Sequence, residues 1–279
     1  MPSLLSFPKF FYPALSVDEL TFTLSDIGFD GVDILIRENS WVKPDKLSVT
    51  LPAFVKSMHS KGLETPSVSI DWQHHEMSDK EDTYRLFADQ GIQMVRIWFQ
   101  NYRGSGTFHS DWKAARESMA ILEKLGQRTG VKTLIQTHMG NLVWSAETAY
   151  FMVQGFDPDA VGIHYDPGNM VYGEGWSEPV KVLDVLGDYL ALVGIKNGGW
   201  FHVPQPEAGC QLKWQPSWLP VDQGMVDYEA LLSLFQKHDY SGSFVMHNFY
   251  DGCDLSGLIK ATRHDVQYIQ QMISKLWSS

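Results

Sequence analysis

Cysteine is nearly absent: Cys210 and Cys253 are the only two in 279 residues, and neither sits in a CxxC pair or a Cys/His cluster. That leaves no disulfide framework and no thiolate metal site, and it points to a reducing, cytoplasmic compartment. No stretch approaches the ~20 apolar residues of a membrane span. The opening MPSLLSFPKFFYPAL lacks the positive segment and cleavable apolar run of a secretory leader, so neither a membrane nor an export signal is expected. Basic residues are scarce too. With 22 Lys+Arg against 33 Asp+Glu the formal charge is −11, which argues against nucleic acid as a partner. What is there is an ordinary globular balance, 44% hydrophobic and 20% charged, incompatible with a disordered chain. Aromatics are abundant, with 10 Trp, 11 Tyr and 15 Phe, more than a core needs and suggestive of a stacking surface for a flat or sugar-like ligand.

One unit recurs along the chain: a polar N-cap, an amphipathic helix, a glycine where the helix should stop, and a short apolar strand. Ser16 with Glu19, and Ser78 with Glu81, have capping-box spacing. Gly28, Gly62, Gly91, Gly130 and Gly242 fall where a left-handed residue would release each helix. The strands read as 31–36, 64–71, 93–99, 131–137, 160–166, 190–196 and 243–248, and a first strand near 4–12 completes eight. Strands alternating with helices pair in parallel through right-handed crossovers, and eight such units close a barrel. The expected fold is therefore α/β, a single (β/α)8 TIM barrel over residues 1–279. The exception to regularity is 197–226, with four prolines, three Trp and no period, expected to be a long functional loop after strand seven.

In such barrels catalytic groups come from the C-terminal ends of the strands, and residues two apart share a face. Strand five then offers Gln136 and His138, strand six His164 and Asp166, strand seven Gly194 and Lys196, and strand eight Val245 and His247. Asp33, Asp71, and Arg96 or Trp98 come from strands two to four. Any one histidine at a strand end is more often a satisfied structural group than a ligand or base; an Asp, three His and a Lys converging on one rim carry more weight. Lys196 reads as an ion-pair partner of Asp166 or a donor to a substrate oxygen, with a Schiff-base role the less common alternative. Trp72, Trp98, Trp144, Trp176 and Trp200 lie at or just beyond strand ends, some as loop core and some as stacking walls beside Asp166. His74-His75-Glu76 reads as a solvated loop with one member near the site.

The run VGIHYDPGNMVYGEG from Val161 to Gly175, GFDP at Gly155–Pro158 and VGIKN at Val193–Asn197 resemble the sugar phosphate isomerase/epimerase family, with its xylose-isomerase-like TIM barrel. Met225-Val226-Asp227-Tyr228, and Tyr240-Ser241-Gly242 before the last strand, extend the resemblance from about residue 15 to the end. The resemblance implies a divalent metal (Mn, Mg or Zn) held by Glu, Asp, His and Glu at the ends of strands five to eight, with the two glutamates exchanging the substrate proton. At those positions this chain carries Gln136, Asp166, Gly194 and His247, so only Asp166 matches. Asp166, His247 and Gln136 make at best an improvised site, and the metal is expected to be absent.

Two-base epimerisation needs an acceptor on each face of the substrate, and Gln136 is not one. A single-base reaction fits better. His247 or His138 abstracts a proton beside a sugar carbonyl while Lys196 or Asn197 stabilises the oxyanion, giving isomerisation or elimination. The expected catalytic set is His247, His138, Lys196 and Asp166, with Gln136, His164, Asn169, Asn197, Trp72, Trp98 and Trp200 binding a small carbohydrate. The competing reading is a non-catalytic, carbohydrate-binding or regulatory paralogue that kept the pocket and lost the metal. The endonuclease branch of the superfamily needs many more metal ligands and a basic face, which the −11 charge opposes. Exposed Trp and Phe on the rim would suit a homodimer.

Overall fold

Apolar runs of four to ten residues become strands, and the amphipathic stretches between them become the helices that cover them. The computed structural model describes residues 1–98, 101–173, 178–203, 213–250 and 252–278. In chain order the elements are β1 (Leu4–Phe7), α1 (Val17–Ile27), β2 (Gly31–Ile36), α2 (Leu47–His59), β3 (Glu64–Gln73), α3 (Glu81–Asp89), β4 (Met94–Trp98), α4 (Phe108–Thr129), β5 (Lys132–Gln136), α5 (Ala146–Val153), β6 (Val161–Tyr165), α6 (Pro167–Tyr172), α7 (Pro179–Leu186), β7 (Leu190–Ile195), β8 (Asn197–Val203), β9 (Lys213–Leu219), α8 (Tyr228–Lys237), β10 (Ser243–His247) and α9 (Leu255–Trp277). Strands β1 to β7 and β10 close into a barrel in the order β1-β10-β7-β6-β5-β4-β3-β2, and every pairing in it is parallel. The expected (β/α)8 barrel is the observed one.

Alternation of side chains across each strand divides the core in two. Leu5, Phe7, Leu35, Leu134, Leu192 and Val245 form a small apolar cluster inside the barrel. A much larger cluster joins the outward strand residues to the helices, among them Leu24, Phe54, Phe87, Leu122, Met152 and Phe235. Each such side chain contributes ~1.5–3 kcal/mol by leaving water. The inner cluster plugs one end of the barrel, and the polar residues further along the same strands face the other.

Local signals held where backbone geometry alone decides them. Ser16 and Glu19 form the reciprocal capping box that starts α1, and Gly28 ends it with φ 106°. Gly62, Gly91 and Gly130 also have positive φ. Gly242 does not; the left-handed residue of that turn is Asp239, with φ 53°, and Gly242 is required because a Cβ there would lie 2.5 Å from the Tyr240 hydroxyl. The second box is also displaced. Helix α3 begins at Glu81 with Lys80 at its N-cap, so Glu81 occupies the first helical position and pairs with Arg85 and Arg128 at 2.6 and 2.7 Å.

Two larger expectations are corrected. The first strand stops at Phe7, because Pro8 has no amide hydrogen to continue the ladder and Lys9–Phe11 turn into a 3-10 segment. The 197–226 stretch is not an irregular loop throughout. Strands β8 and β9 form an antiparallel hairpin outside the barrel, with Asn197 opposite Leu219 and Val203 opposite Lys213. Prolines hid it, yet Pro216 sits opposite Trp200 in a two-stranded ribbon where an outer edge needs no amide donor. Residues 204–212 of this stretch lie outside the described ones.

Candidate active site

The C-terminal ends of the strands open onto a cavity of about 450 Å³ lined by Phe7, Lys9, Arg37, Asp71, Gln73, Arg96, Trp98, Gln136, His138, Lys196, His247 and Phe249. Beneath it lies the ion pair on which the site is built. Lys196 Nζ is 3.1 Å from Asp166 Oδ2, with side-chain exposures of 5% and 0%. Asp166 Oδ2 also accepts from Gln136 Nε2 at 2.7 Å, and Oδ1 accepts the Asn169 amide at 2.9 Å as the N-cap of α6. The Lys196 ammonium lies 4.9 Å from the Trp218 ring centre and 4.7 Å from that of Phe249. Its backbone is clamped by Tyr228, whose hydroxyl accepts from the Lys196 amide at 3.0 Å and donates to the Lys196 carbonyl at 2.8 Å. Burial pulls the Lys196 pKa below its ordinary value while Asp166 opposes that pull.

His138 has an orienting partner. Its Nδ1 donates to the Met139 carbonyl at 2.7 Å, a contact that places the proton on Nδ1 and leaves Nε2 as an acceptor. Burial lowers its pKa, so the ring is neutral at pH 7. The Trp98 ring meets it edge-on at 5.1 Å. The His247 ring lies tilted against Phe7 at 4.7 Å, and its Nε2 is buried without a partner, as are both ring nitrogens of His164. Burial pushes His164 down to about 3 and His247 well below its usual range.

The opposite wall holds a second buried set. Asp33 accepts from Ser67 at 2.6 Å and from the Ser69 hydroxyl, while Arg96 Nε donates to Ser69 Oγ at 2.8 Å. Burial pushes the Asp33 carboxyl up, and the nearby Arg96 and the two serine donors oppose that push. Since Ser69 Oγ accepts from Arg96, its own hydrogen goes to Asp33, and both Asp33 oxygens act as acceptors. Arg37 pairs with Asp71 at 2.6 Å.

Of the sequence-predicted residues, Gln136, His138, Lys196, His247 and Trp98 line the cavity, and Asp166 and His164 lie directly behind it. Others do other work. Asn197 is spent on the hairpin base, donating to the Val221 and Val226 carbonyls and accepting from the Gly198 and Val226 amides at 2.8–2.9 Å. Asn169 is fully buried and donates to the Thr137 carbonyl. Trp72 lies under Lys80, Trp144 packs near Phe108, and Trp200 is on β8 with its ring N–H on the Val171 carbonyl at 2.6 Å. Trp176 lies outside the described residues. In the 74–76 segment, His74 Nδ1 is 2.8 Å from Ser118 Oγ and Glu76 accepts the Gln73 amide; the cavity is reached instead by Gln73. Sequence reasoning missed Lys9, Arg37, Phe7, Phe249 and Trp218. Arg37 had a signal, since it continues the inward face of Asp33 and Leu35. Lys9 and Trp218 had none, because a 3-10 turn and a hairpin carry them in.

The ligand set for a metal is directly testable. His164, Asp166 and His247 present ligand atoms within 4.8 Å of one another. Against this, both Asp166 oxygens are already engaged and one contacts an ammonium. A divalent ion about 4 Å from that ammonium would meet a repulsion of about 8 kcal/mol at an effective dielectric near 20. Gly194 contributes no ligand, and a Cβ there would lie 2.8 Å from the Asp166 carboxyl carbon; that carboxyl fills the space a ligand side chain would need. The residues present do not fit the four-ligand family metal site.

The xylose isomerase-like TIM barrel family model matches residues 23–272, and the chain belongs to that family. Similar solved structures include the IOLI protein binding a zinc atom (TM-score 0.75, 14% identity, 100% of both chains covered). A 3-keto-D-glucoside 4-epimerase from E. coli has a TM-score of 0.70 at 17% identity, covering 97% of this chain and 100% of that one. A xylose isomerase-like TIM barrel protein from Mycobacterium smegmatis in complex with magnesium has a TM-score of 0.70 at 17% identity, covering 99% and 98%. At such identities the likeness is one of fold. No curated protein matches the chain.

Proposed function

We propose that this chain is an isomerase, epimerase or lyase acting on a carbonyl-bearing sugar or polyol derivative, with His138 as its base and Lys196 in place of the family metal. The observation that carries the reading is the pair of opposed groups at one cavity: a neutral imidazole whose Nδ1 is held by a carbonyl, and an ammonium anchored by Asp166. His138 Nε2 takes the proton from the carbon beside the carbonyl. The C–H electron pair becomes the C=C bond as the carbonyl π pair moves onto oxygen, giving an enolate whose charge Lys196 and Arg96 stabilise. For isomerisation, the hydroxyl on the deprotonated carbon passes its proton to the enolate oxygen and His138 returns its proton to the former carbonyl carbon, so the C=O moves by one position. For elimination, the enolate re-forms its C=O, a C=C forms to the next carbon, and the hydroxyl there leaves as water with the proton from His138. His247, with no orienting partner for its buried nitrogen, serves as a neutral wall beside the reacting carbons.

The test is exchange of the acidic C–H of ketoses and keto-sugars in deuterated water, followed by NMR. His138→Gln is expected to slow exchange by about 10²–10⁴, the usual worth of a positioned base, with unfolding behaviour unchanged. Retention of full exchange would overturn the assignment. A second reading, a non-catalytic carbohydrate-binding paralogue, is favoured by the substitution of three of the four ligand positions. It predicts sugar binding with no exchange in the unmodified protein.

A further inference from the structure

The charge around the cavity is opposite in sign to that of the molecule. The chain carries −11 overall, yet Lys9, Arg37, Arg96 and Lys196 all line the cavity, against Asp71 alone among the acids of the described residues. Three of these cations have a carboxylate of their own. Lys196 contacts Asp166 and Arg37 contacts Asp71, and Arg96 reaches Asp33 through Ser69. Lys9 has none within ion-pair distance among the described residues. Its ammonium sits instead over the rings of Phe10 and Phe249, at 5.1 and 5.8 Å. Partial burial and the Arg37 charge oppose its protonation, Asp71, the partner of Arg37, offsets part of that, and Arg96 adds to it; the remaining cost is one that an incoming anion would relieve. Arg37 also keeps a buried Nε without a hydrogen-bond partner.

From this uncompensated charge we infer that the substrate is a monoanion, a polyhydroxy or keto acid whose carboxylate is held by Lys9 and Arg37 at the β1–β2 side of the cavity. The inference rests on the proposed sugar-type chemistry and specifies its substrate class. Among the described residues, four cations against Asp33, Asp71 and Asp166 leave a single positive charge, which a carboxylate neutralises. A phosphate monoester, at −1.5 to −2 near pH 7, would overshoot. Phosphate sites in barrels are built on backbone amides and a helix N-terminus after the last strands, whereas the cationic wall here is made of side chains from β1–β4. Guanidinium groups match the planar carboxylate. With the carboxylate at Lys9 and Arg37, the rest of a six-carbon acid extends across Phe7 and Phe249 toward His138 and Lys196, within a cavity of about 450 Å³.

Calorimetric titration of the purified protein with D-glucuronate, D-glucose, D-glucose 6-phosphate and citrate, at low and moderate salt, tests this. The acid is expected to bind at least tenfold tighter than the neutral sugar, with the advantage shrinking as salt rises. Lys9→Met, which keeps the apolar stem, is expected to remove most of that advantage, and Lys9→Glu to reverse it. Equal or tighter binding of glucose, or an acid preference unchanged in both Lys9 variants, overturns the inference while leaving the sugar reading intact. Tighter binding of the phosphate ester overturns the carboxylate assignment. Lys9-dependent citrate binding with no gain from any sugar supports the anion subsite and overturns the sugar reading. Absence of binding by all four overturns both.

Discussion

A buried ammonium 3.1 Å from a buried carboxylate is stable only while both partners are present. Removing one leaves an unpaired charge out of water, a loss of about 3–5 kcal/mol in comparable cases. Lys196→Met is therefore expected to lower urea unfolding stability by that amount. Combining it with Asp166→Asn should recover part of the loss, because the amide no longer carries the stranded charge. A single variant within about 1 kcal/mol of the unmodified protein would show that the pair contributes no more than a surface contact. The two residues were legible from strand alternation alone, each at the inward C-terminal end of its strand. Their pairing was one of several roles open to Lys196 in the sequence, beside a contact to a substrate oxygen and a Schiff base, and the 3.1 Å contact selects it. Asn197 shows the converse: a polar residue beside the lysine that resembles an oxyanion donor, but whose hydrogen-bonding capacity is used by the backbone of the hairpin.

The last helix, α9, shows how an element far from the cavity is tied to the hairpin that borders it. Its Asp265 accepts the Val221 amide at 3.2 Å and the Tyr250 hydroxyl at 2.6 Å, bridging the end of the hairpin region and the turn after β10. Burial pushes the Asp265 carboxyl up to about 6 from 3.8. The folded form thus holds this proton more tightly than the unfolded chain. The associated stability is present in full below about 3.8 and is lost as pH rises through about 6. Relative to the unmodified protein, Asp265→Asn is expected to gain stability between pH 4 and pH 7, by up to about 3 kcal/mol at 1.4 kcal/mol per unit. Urea titrations at several pH values would check this, and a difference constant with pH would contradict it. The hairpin itself was the element least readable in sequence. Its residues face partly outward, so no apolar period marks them, and their pairing is decided by where β7 and α6 leave the chain.

At the level of the whole molecule, the barrel explains how an acidic protein presents a cationic cavity. Strands β4, β5 and β10 and the residues just past β1, β2 and β7 deliver inward polar side chains to the same rim, while surplus acids lie on the outer helices and loops; Asp18 and Glu19 in the first turn of α1 are examples. Among the described residues no helix is long and apolar enough to cross a membrane. With Asp166 neutralised by Lys196, Gly194 filled by the Asp166 carboxyl and Gln136 in place of a carboxylate, we expect elemental analysis of protein purified without chelator to find less than stoichiometric manganese, magnesium or zinc. One equivalent of any of these would overturn the assignment of Lys196 as the resident cation. The eight-unit barrel, the parallel order and the inward face of Gln136, His138, His164, Asp166, Lys196 and His247 were determined by sequence alone. They follow from periodicities of two and 3.6 residues and from helix stops, all local properties of the backbone. Only the tertiary structure decided that the Lys196 ammonium sits between Asp166, Trp218 and Phe249 and that Lys9 and Arg37 join the cavity wall. These contacts arise where barrel closure brings β1 beside β10 and where the hairpin packs against α6, with Trp218 stacked on Tyr172, and no local period records a meeting between residues hundreds of positions apart.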